Sequence, residues 1–154
     1  MTKVSAARRV VLPPEEAMDL WVDVRRWPTF IEGFAHMLST DGSWPAEGSK
    51  LVWESGPGGR GRVTEKVDLY GEYFLATRIN EESFQGLQDV SFTEAEGGSR
   101  VQLSLEYDLH PTSVWRSGGL GVIVNALFIR RAMADSLART LRRFATEAAE
   151  QQAL

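Results

Sequence analysis

Residues 10–34 constrain the fold of this chain most, because they combine two chain breaks with two short apolar helices. The residue before Pro13 favours extended geometry, so a strand is expected to end there. Pro14 suits the first position of a helix, and Glu15 and Glu16 follow where the helix dipole favours anions. One apolar helix face then recurs at spacings of three and four residues: Ala17, Leu20, Trp21 and Val24.

A second short helix is expected after Trp27-Pro28, where proline restarts the chain. Its apolar cluster consists of Phe30, Ile31 and Phe34. A strand followed directly by two short, aromatic-rich helices is an uncommon opening for a domain. The segment therefore narrows the fold, but it does not by itself indicate a function.

The composition is that of an ordinary globular domain, with 154 residues, 43% hydrophobic and 25% charged. A net charge of −4 argues against a general nucleic-acid binder, which carries a basic excess. The absence of cysteine excludes disulfides, thiolate metal sites and a cysteine nucleophile. No apolar run approaches the ~18 residues of a membrane span, and the N-terminus lacks a signal-peptide core. A cytoplasmic protein without a membrane span is therefore expected.

Alternating apolar and polar residues predict a series of strands joined by hairpin turns. The clearest strand is residues 100–109, where Val101, Leu103 and Leu105 share one face. It follows a turn whose glycine pair, Gly97-Gly98, is typical of a two-residue hairpin. Strands joined by such turns favour antiparallel pairing. The predicted strands are residues 3–12, 36–41, 49–55, 61–70, 73–80, 84–95 and 100–109.

A long C-terminal helix is predicted over residues 120–150. Its apolar stripe has spacings of three or four throughout: Val122, Ala126, Ile129, Met133, Leu137, Leu141, Phe144 and Ala148. On the solvated sides, Asp135 is expected to pair with Arg131 and Arg139, and Arg143 with Glu147. The first half is apolar nearly all round except at Asn125, so it needs burial on more than one side. A helix laid across the mouth of a curved sheet provides that burial.

This layout and several local sequences resemble the START-related helix-grip superfamily, in its polyketide cyclase/dehydrase branch. The resembling pieces are PPEEAMDLWVDVRRWPTF, GRVTEKV, EGGSRVQLSLEYDL and the terminal helix preceded by GGLG. The resemblance covers essentially the whole chain, as one domain of residues 1–154. It implies an α+β fold in which a curved antiparallel sheet of about six to seven strands wraps around the long helix, with two short helices after the first strand.

The resemblance also implies a hydrophobic cavity between the sheet and the helix. Such cavities are mostly apolar, with a few polar groups that orient a ligand. The apolar candidates for its lining are Trp27, Phe30, Phe34, Trp53, Val67, Leu103, Leu105, Met133 and Leu137. Asn125 is a polar candidate that either caps a ligand or faces a neighbouring loop. The alternative for the apolar residues is that they fill the core.

Three polar residues are candidates for catalysis. Glu65 alternates with Val63 and Val67, and a carboxyl group on an apolar face tends to have a raised pKa, which suits a general acid or base. The alternative is a bulge or strand end that places Glu65 in water. Arg78 either faces inward, to bind a ligand oxygen or Glu65, or is a solvated surface residue. Tyr107 falls on the inner face of its strand, where its phenol either serves the site or makes a structural hydrogen bond.

Other site types are disfavoured. His36 and His110 lack metal-ligand spacing, the GPGGRG stretch lacks the residues that complete a phosphate loop, and no Gly-x-Ser-x-Gly motif is present. Neither a metal nor a cofactor is expected.

Three functional hypotheses follow. The leading one is binding of a hydrophobic or aromatic small molecule, lipid- or polyketide-like, in the internal cavity by a monomer or homodimer. The second is a polyketide cyclase or dehydratase that uses Glu65, Arg78 and Tyr107 for proton transfer and enolate stabilisation. The third is a protein-interaction domain that uses the apolar face around Val124 and Phe128.

Overall fold

Seven antiparallel strands form one curved sheet in the order β1-β7-β6-β5-β4-β3-β2, and the α-helices of the described chain lie on its inner face. This computed structural model describes residues 1–111 and 119–154, with side chains for residues 1–111 and 126–154. The elements are β1 (Thr2–Val10), α1 (Pro14–Val22), a 3₁₀ turn (Val24–Arg26), α2 (Trp27–Phe30), β2 (Phe34–Thr40), β3 (Lys50–Ser55), β4 (Arg62–Tyr70), β5 (Phe74–Asn80), β6 (Phe84–Ala95), β7 (Gly98–Leu109) and α3 (Gly119–Ala153). The predicted α+β helix-grip fold is confirmed.

Helix α1 begins at Pro14, as its sequence predicts, but it ends at Val22, so Val24 of the predicted apolar face lies in the 3₁₀ turn instead. Pro14 occupies its first turn with two acidic residues behind it, and the buried face includes Leu20 and Trp21. The C-cap of the helix is Asp23, whose carboxylate accepts a hydrogen bond from the backbone N–H of Arg25 and so begins the 3₁₀ turn. The two short helices bring their aromatic side chains to the inner face of the sheet.

An aromatic cluster joins these helices to α3. The Trp21 ring lies 5.4 Å from the Phe30 ring and 5.3 Å from the Phe144 ring, centroid to centroid. Phe92 of β6 completes the cluster, 5.9 Å from Phe144. These side chains are all buried, so the cluster fixes how α1, α2 and α3 lie against the sheet.

A bulge in β4 interrupts the alternation of its side chains. Glu65 pairs with Ile79 and Val67 with Thr77, in regular alternation, but the register shifts between Val67 and Leu69. Leu69, which unbroken alternation would place on the same face as Val67, is consequently 50% exposed. The bulge lies beyond Glu65 along the strand, so Glu65 keeps its inward direction.

Helix α3 packs against β1 and α2. Where its side chains are described, the predicted stripe faces the core, with Leu137, Leu141, Phe144 and Ala148 buried. Among the described residues, Asp135 forms no ion pair with Arg131 or Arg139 and Arg143 forms none with Glu147, so these expected pairings are wrong. Arg139 instead binds Glu32, in the turn after α2, at 2.6 Å, and Glu147 binds Arg26, in the 3₁₀ turn, at 3.4 Å. Among the described residues, no helix has the length and apolarity that a membrane crossing requires.

Candidate functional site

Two neighbouring cavities lie between the inner face of the sheet and α3. The outer cavity has a volume of about 270 Å³, and the inner one about 30 Å³. The outer cavity is lined by Gly59, Arg60, Glu81, Ser83, Phe84, Gln88, Leu105, Phe128, Ile129, Ala132, Met133, Ser136 and Leu137. The inner cavity is lined by Trp21, Trp27, Ile31, Trp53, Arg60, Glu65, Ile79, Gln88, Leu103, Ser136, Leu137 and Thr140.

The two cavities share a wall of four side chains. Arg60 comes from the loop between β3 and β4, Gln88 from β6, and Ser136 and Leu137 from α3. The guanidinium of Arg60 is therefore placed to contact molecules in either cavity.

Glu65 provides the carboxyl group of the inner cavity. It is only 4% exposed, and both of its oxygens accept hydrogen bonds: Oε2 from Trp53 Nε1 at 2.7 Å and Oε1 from Thr77 Oγ1 at 3.2 Å. Burial raises the pKa of Glu65 above its usual value, and the two donors and the Arg60 charge only partly oppose that shift. A carboxyl group with a raised pKa beside a cavity is suited to exchange a proton with a bound molecule.

Arg60 provides the positive charge of the site. Its loop closes through the backbone N–H of Gly61, which donates to Ser55 Oγ at 2.8 Å, and Gly61 has a φ of +72° that favours glycine. The guanidinium lies 5.0 Å from the centroid of the Trp53 ring and 5.9 Å from that of Phe84. Such cation–π contacts hold it over the cavities.

Glu81 completes the polar side of the outer cavity. Its Oε2 accepts a 2.5 Å hydrogen bond from Arg60 Nε, and its side chain is buried. Burial raises the pKa of Glu81, while the charge of Arg60 opposes the shift. The guanidinium is therefore held on one edge by a carboxylate and on its faces by aromatic rings.

The predicted lining residues divide into two groups. Those that line a cavity are Trp27, Trp53 and Leu103 in the inner one, Leu105 and Met133 in the outer one, and Leu137 in both. Phe30, Phe34 and Val67 do not line either cavity. Phe30 packs on Trp21 and Phe144, Phe34 stacks on Trp53 with ring centroids 5.2 Å apart, and Val67 is buried. The side chains of Asn125 and Val124 lie outside the described residues.

Arg78 does not reach the cavities, which corrects the expectation that it could bind a ligand there. It lies on the outer face of the sheet, directly opposite Lys66, because its position on β5 is out of phase with the buried Thr77 and Ile79. There Arg78 Nε donates to Asp68 Oδ1 at 3.2 Å.

Tyr107 lies on the inner face but lines neither cavity. It is buried, and its ring centroid is 5.6 Å from that of Phe84. Burial raises the pKa of its phenol, opposed in part by the charge of Arg130 and a hydrogen bond with Thr2. Tyr107 thus packs against Phe84, which lines the outer cavity.

Phe128 also lines the outer cavity, and its side chain is 71% exposed.

Several residues of the site escaped the sequence analysis. Arg60 lies in the glycine-rich GPGGRG stretch, which lacks the residues of a phosphate loop and was assigned no other role from the sequence. No sequence spacing links Glu81, Gln88 and Ser136, because they come from a loop, a strand and a helix that only the folded chain brings together. The one available signal was the pair Glu81-Glu82 directly after a strand, where an acidic side chain can turn back towards the sheet.

Comparison with known proteins gives one family match and several structural likenesses. The profile of a family described as "Polyketide cyclase / dehydrase and lipid transport" matches residues 1–149. No curated protein matches the chain.

Three solved structures illustrate the likenesses. TTHA0849 from Thermus thermophilus has 19% identity and a TM-score of 0.75, over 97% of this chain and 99% of that one. The di-domain ARO/CYC StfQ from the steffimycin biosynthetic pathway has 13% identity and a TM-score of 0.79, over 99% of this chain and 52% of its own, so this chain spans about half of it. SA2116 from Staphylococcus aureus, a protein of unknown function, has 15% identity and a TM-score of 0.75, over 99% of this chain and 96% of that one. At these identities, the likenesses establish the fold alone.

Proposed function

The chain belongs to the polyketide cyclase/dehydrase and lipid transport family, and on that premise we propose that it binds a small hydrophobic or aromatic molecule between the sheet and α3. The proposal treats residues 1–154 as one binding domain. The ligand occupies the outer cavity, beside Arg60. The description of the family, which names polyketide enzymes and lipid transport, supports a hydrophobic ligand that is polyketide- or lipid-like.

The observation that carries the proposal is the outer cavity. Its volume of about 270 Å³ is near the lower end of the roughly 300–1,000 Å³ typical of small-molecule sites. Its wall is mostly apolar, with Phe84, Leu105 and Met133 among its residues, and Arg60 and Gln88 add polar groups. A volume of this size suits one or two rings better than a long chain.

Filling the cavity tests the proposal. Ser136 lies in the wall between the two cavities, so Ser136→Leu adds apolar volume inside the site. Naphthamide, a neutral two-ring probe, is titrated while the tryptophan fluorescence is recorded, since Trp27 and Trp53 line the inner cavity. We expect Ser136→Leu to weaken binding by about tenfold or more, because overpacking costs about 1–3 kcal/mol.

Ala138→Leu is the matched control, because Ala138 is exposed on the same helix. It should bind naphthamide as the wild type does. Equal affinities of wild type and Ser136→Leu would contradict binding in these cavities.

The second candidate function is a cyclase or dehydratase, favoured by Glu65. A buried carboxyl group beside a cavity, with its pKa raised by burial, suits proton transfer to or from a carbonyl-containing ligand. In this hypothesis Arg60, rather than Arg78, is the cation near the reacting oxygen. A Glu65→Gln variant distinguishes the two functions: it should keep ligand affinity in both, but lose turnover of a poly-β-ketone substrate only if the protein is an enzyme.

A further inference from the structure

The hydrogen-bonding groups of the site are unequally used. Both oxygens of Glu65 already accept hydrogen bonds, from Trp53 and Thr77, and Glu81 already accepts one from Arg60. The two buried carboxyl groups of the site therefore already have donors within the protein before any ligand arrives.

Arg60, in contrast, keeps most of its hydrogen-bond donors free. A guanidinium carries five N–H donors, and Arg60 spends only the one on Nε, towards Glu81. Among the described residues, neither Nη group of Arg60 has a hydrogen-bond partner, and no other cation lines either cavity. The edge formed by the two Nη groups can bind both oxygens of a carboxylate at once.

The guanidinium is also preorganised for such a ligand. Its contacts with the Trp53 and Phe84 rings and its bond to Glu81 fix its position, yet its side chain remains 26% exposed. A fixed donor pair loses little rotational freedom when it binds a ligand, so more of the interaction appears as affinity.

We infer that the ligand is a one- or two-ring aromatic carboxylate, which binds the Nη edge of Arg60 through its carboxylate and places its rings among Phe84, Met133 and Leu137. This inference rests on the proposed function and specifies its ligand class. The apolar walls accept the rings, and the cation of Arg60 determines which end of the ligand faces the inner cavity.

Three matched naphthalene probes test the charge preference: naphthoate, neutral naphthamide and cationic naphthylmethylammonium. Their dissociation constants are measured by calorimetry at neutral pH with the whole chain. We expect wild type to bind naphthoate about tenfold or more tighter than naphthamide, the scale of a charge-assisted hydrogen bond, and the ammonium probe most weakly. Arg60→Gln should remove the preference for naphthoate while changing naphthamide affinity little.

Two further variants keep the test decisive if Arg60→Gln does not fold. Glu81→Gln leaves Arg60 in place and removes the negative charge beside it, so naphthoate affinity should rise severalfold. Arg62→Gln is the control. Arg62 is exposed, lines neither cavity and forms a weak ion pair of 3.8 Å with Glu54, so this variant should bind all three probes as wild type does.

The outcomes separate the two levels of the proposal. Equal binding of naphthoate and naphthamide, tighter binding of the ammonium probe, or no gain for naphthoate in Glu81→Gln would overturn the inference and leave ligand binding intact. Binding of none of the three probes would overturn the inference together with the proposed function.

Discussion

At the scale of single residues, Glu65 combines an ionisable side chain with almost complete burial, which raises its pKa. Its carboxyl group is buried among apolar side chains, and only Trp53 and Thr77 donate hydrogen bonds to it. Removing a charged carboxylate from water costs more than these two neutral donors return, so folding favours the protonated form.

This preference predicts how stability depends on pH. Because the pKa of Glu65 is raised above its reference value of 4.5 in the folded state, its stabilising contribution is complete below that pH. It is lost as the pH rises through the folded-state value. The side chain of Glu65→Gln stays neutral at every pH. The melting temperature of this variant minus that of wild type should therefore be several degrees larger at neutral pH than at acid pH.

Thermal unfolding followed by circular dichroism at several pH values checks the prediction. Glu96→Gln, in the exposed turn between β6 and β7, is the control. Parallel melting curves for wild type and Glu65→Gln across the whole pH range would show that Glu65 does not titrate differently on folding.

Side-chain directions were predictable wherever alternation is regular. Glu65 follows the pattern of Val63, and its inward direction is what the sequence indicates once the bulge is known to lie beyond Val67. The direction of the Arg78 side chain could not be predicted, because its strand carries apolar residues on both faces. Arg60 was missed because its direction depends on loop closure by Ser55, which leaves no periodic pattern in the sequence.

At the scale of elements, β6 and β7 approach each other closely at one glycine. Gly86 of β6 lies opposite Tyr107 of β7, and a Cβ atom at Gly86 would meet the backbone oxygen of Glu106 at 2.2 Å. Only glycine lets the two strands approach this closely at this position.

Gly86→Ala should therefore destabilise the protein markedly. The added methyl group meets backbone, which cannot rotate away, so we expect a loss of about 1–3 kcal/mol or more. Chemical denaturation measures the free energy of unfolding. Gly42→Ala is the matched control, because a Cβ there has no neighbour within 4 Å. A Gly86→Ala protein as stable as this control would show that the two strands can separate locally without cost.

Periodicity was sufficient to predict these elements but not their partners. Strand β6 has the predicted bounds, and α3 begins and ends within a few residues of the prediction. The ion pairs of α3 were wrong because Arg139 and Glu147 bind residues distant in sequence, Glu32 in the turn after α2 and Arg26 in the 3₁₀ turn. Contacts between distant parts of a chain leave no spacing pattern in the sequence.

At the scale of the whole molecule, the site is assembled from residues of the sheet, of one loop and of α3. The sheet supplies Glu65 and Trp53, the loop after β3 supplies Arg60, and α3 supplies Ser136 and Leu137. The fold could be predicted from the order of elements and the family resemblance. The division of the interior into two cavities could not, because it depends on how individual side chains fill the space.

The central claim is that these cavities hold a small molecule, and native mass spectrometry of freshly purified protein tests it most directly. We predict that wild type carries a bound small molecule, which denaturation releases, whereas Ser136→Leu appears at the mass of the bare chain. A bare wild-type chain that also fails to take up naphthoate or naphthamide in the spectrometer sample would contradict the account.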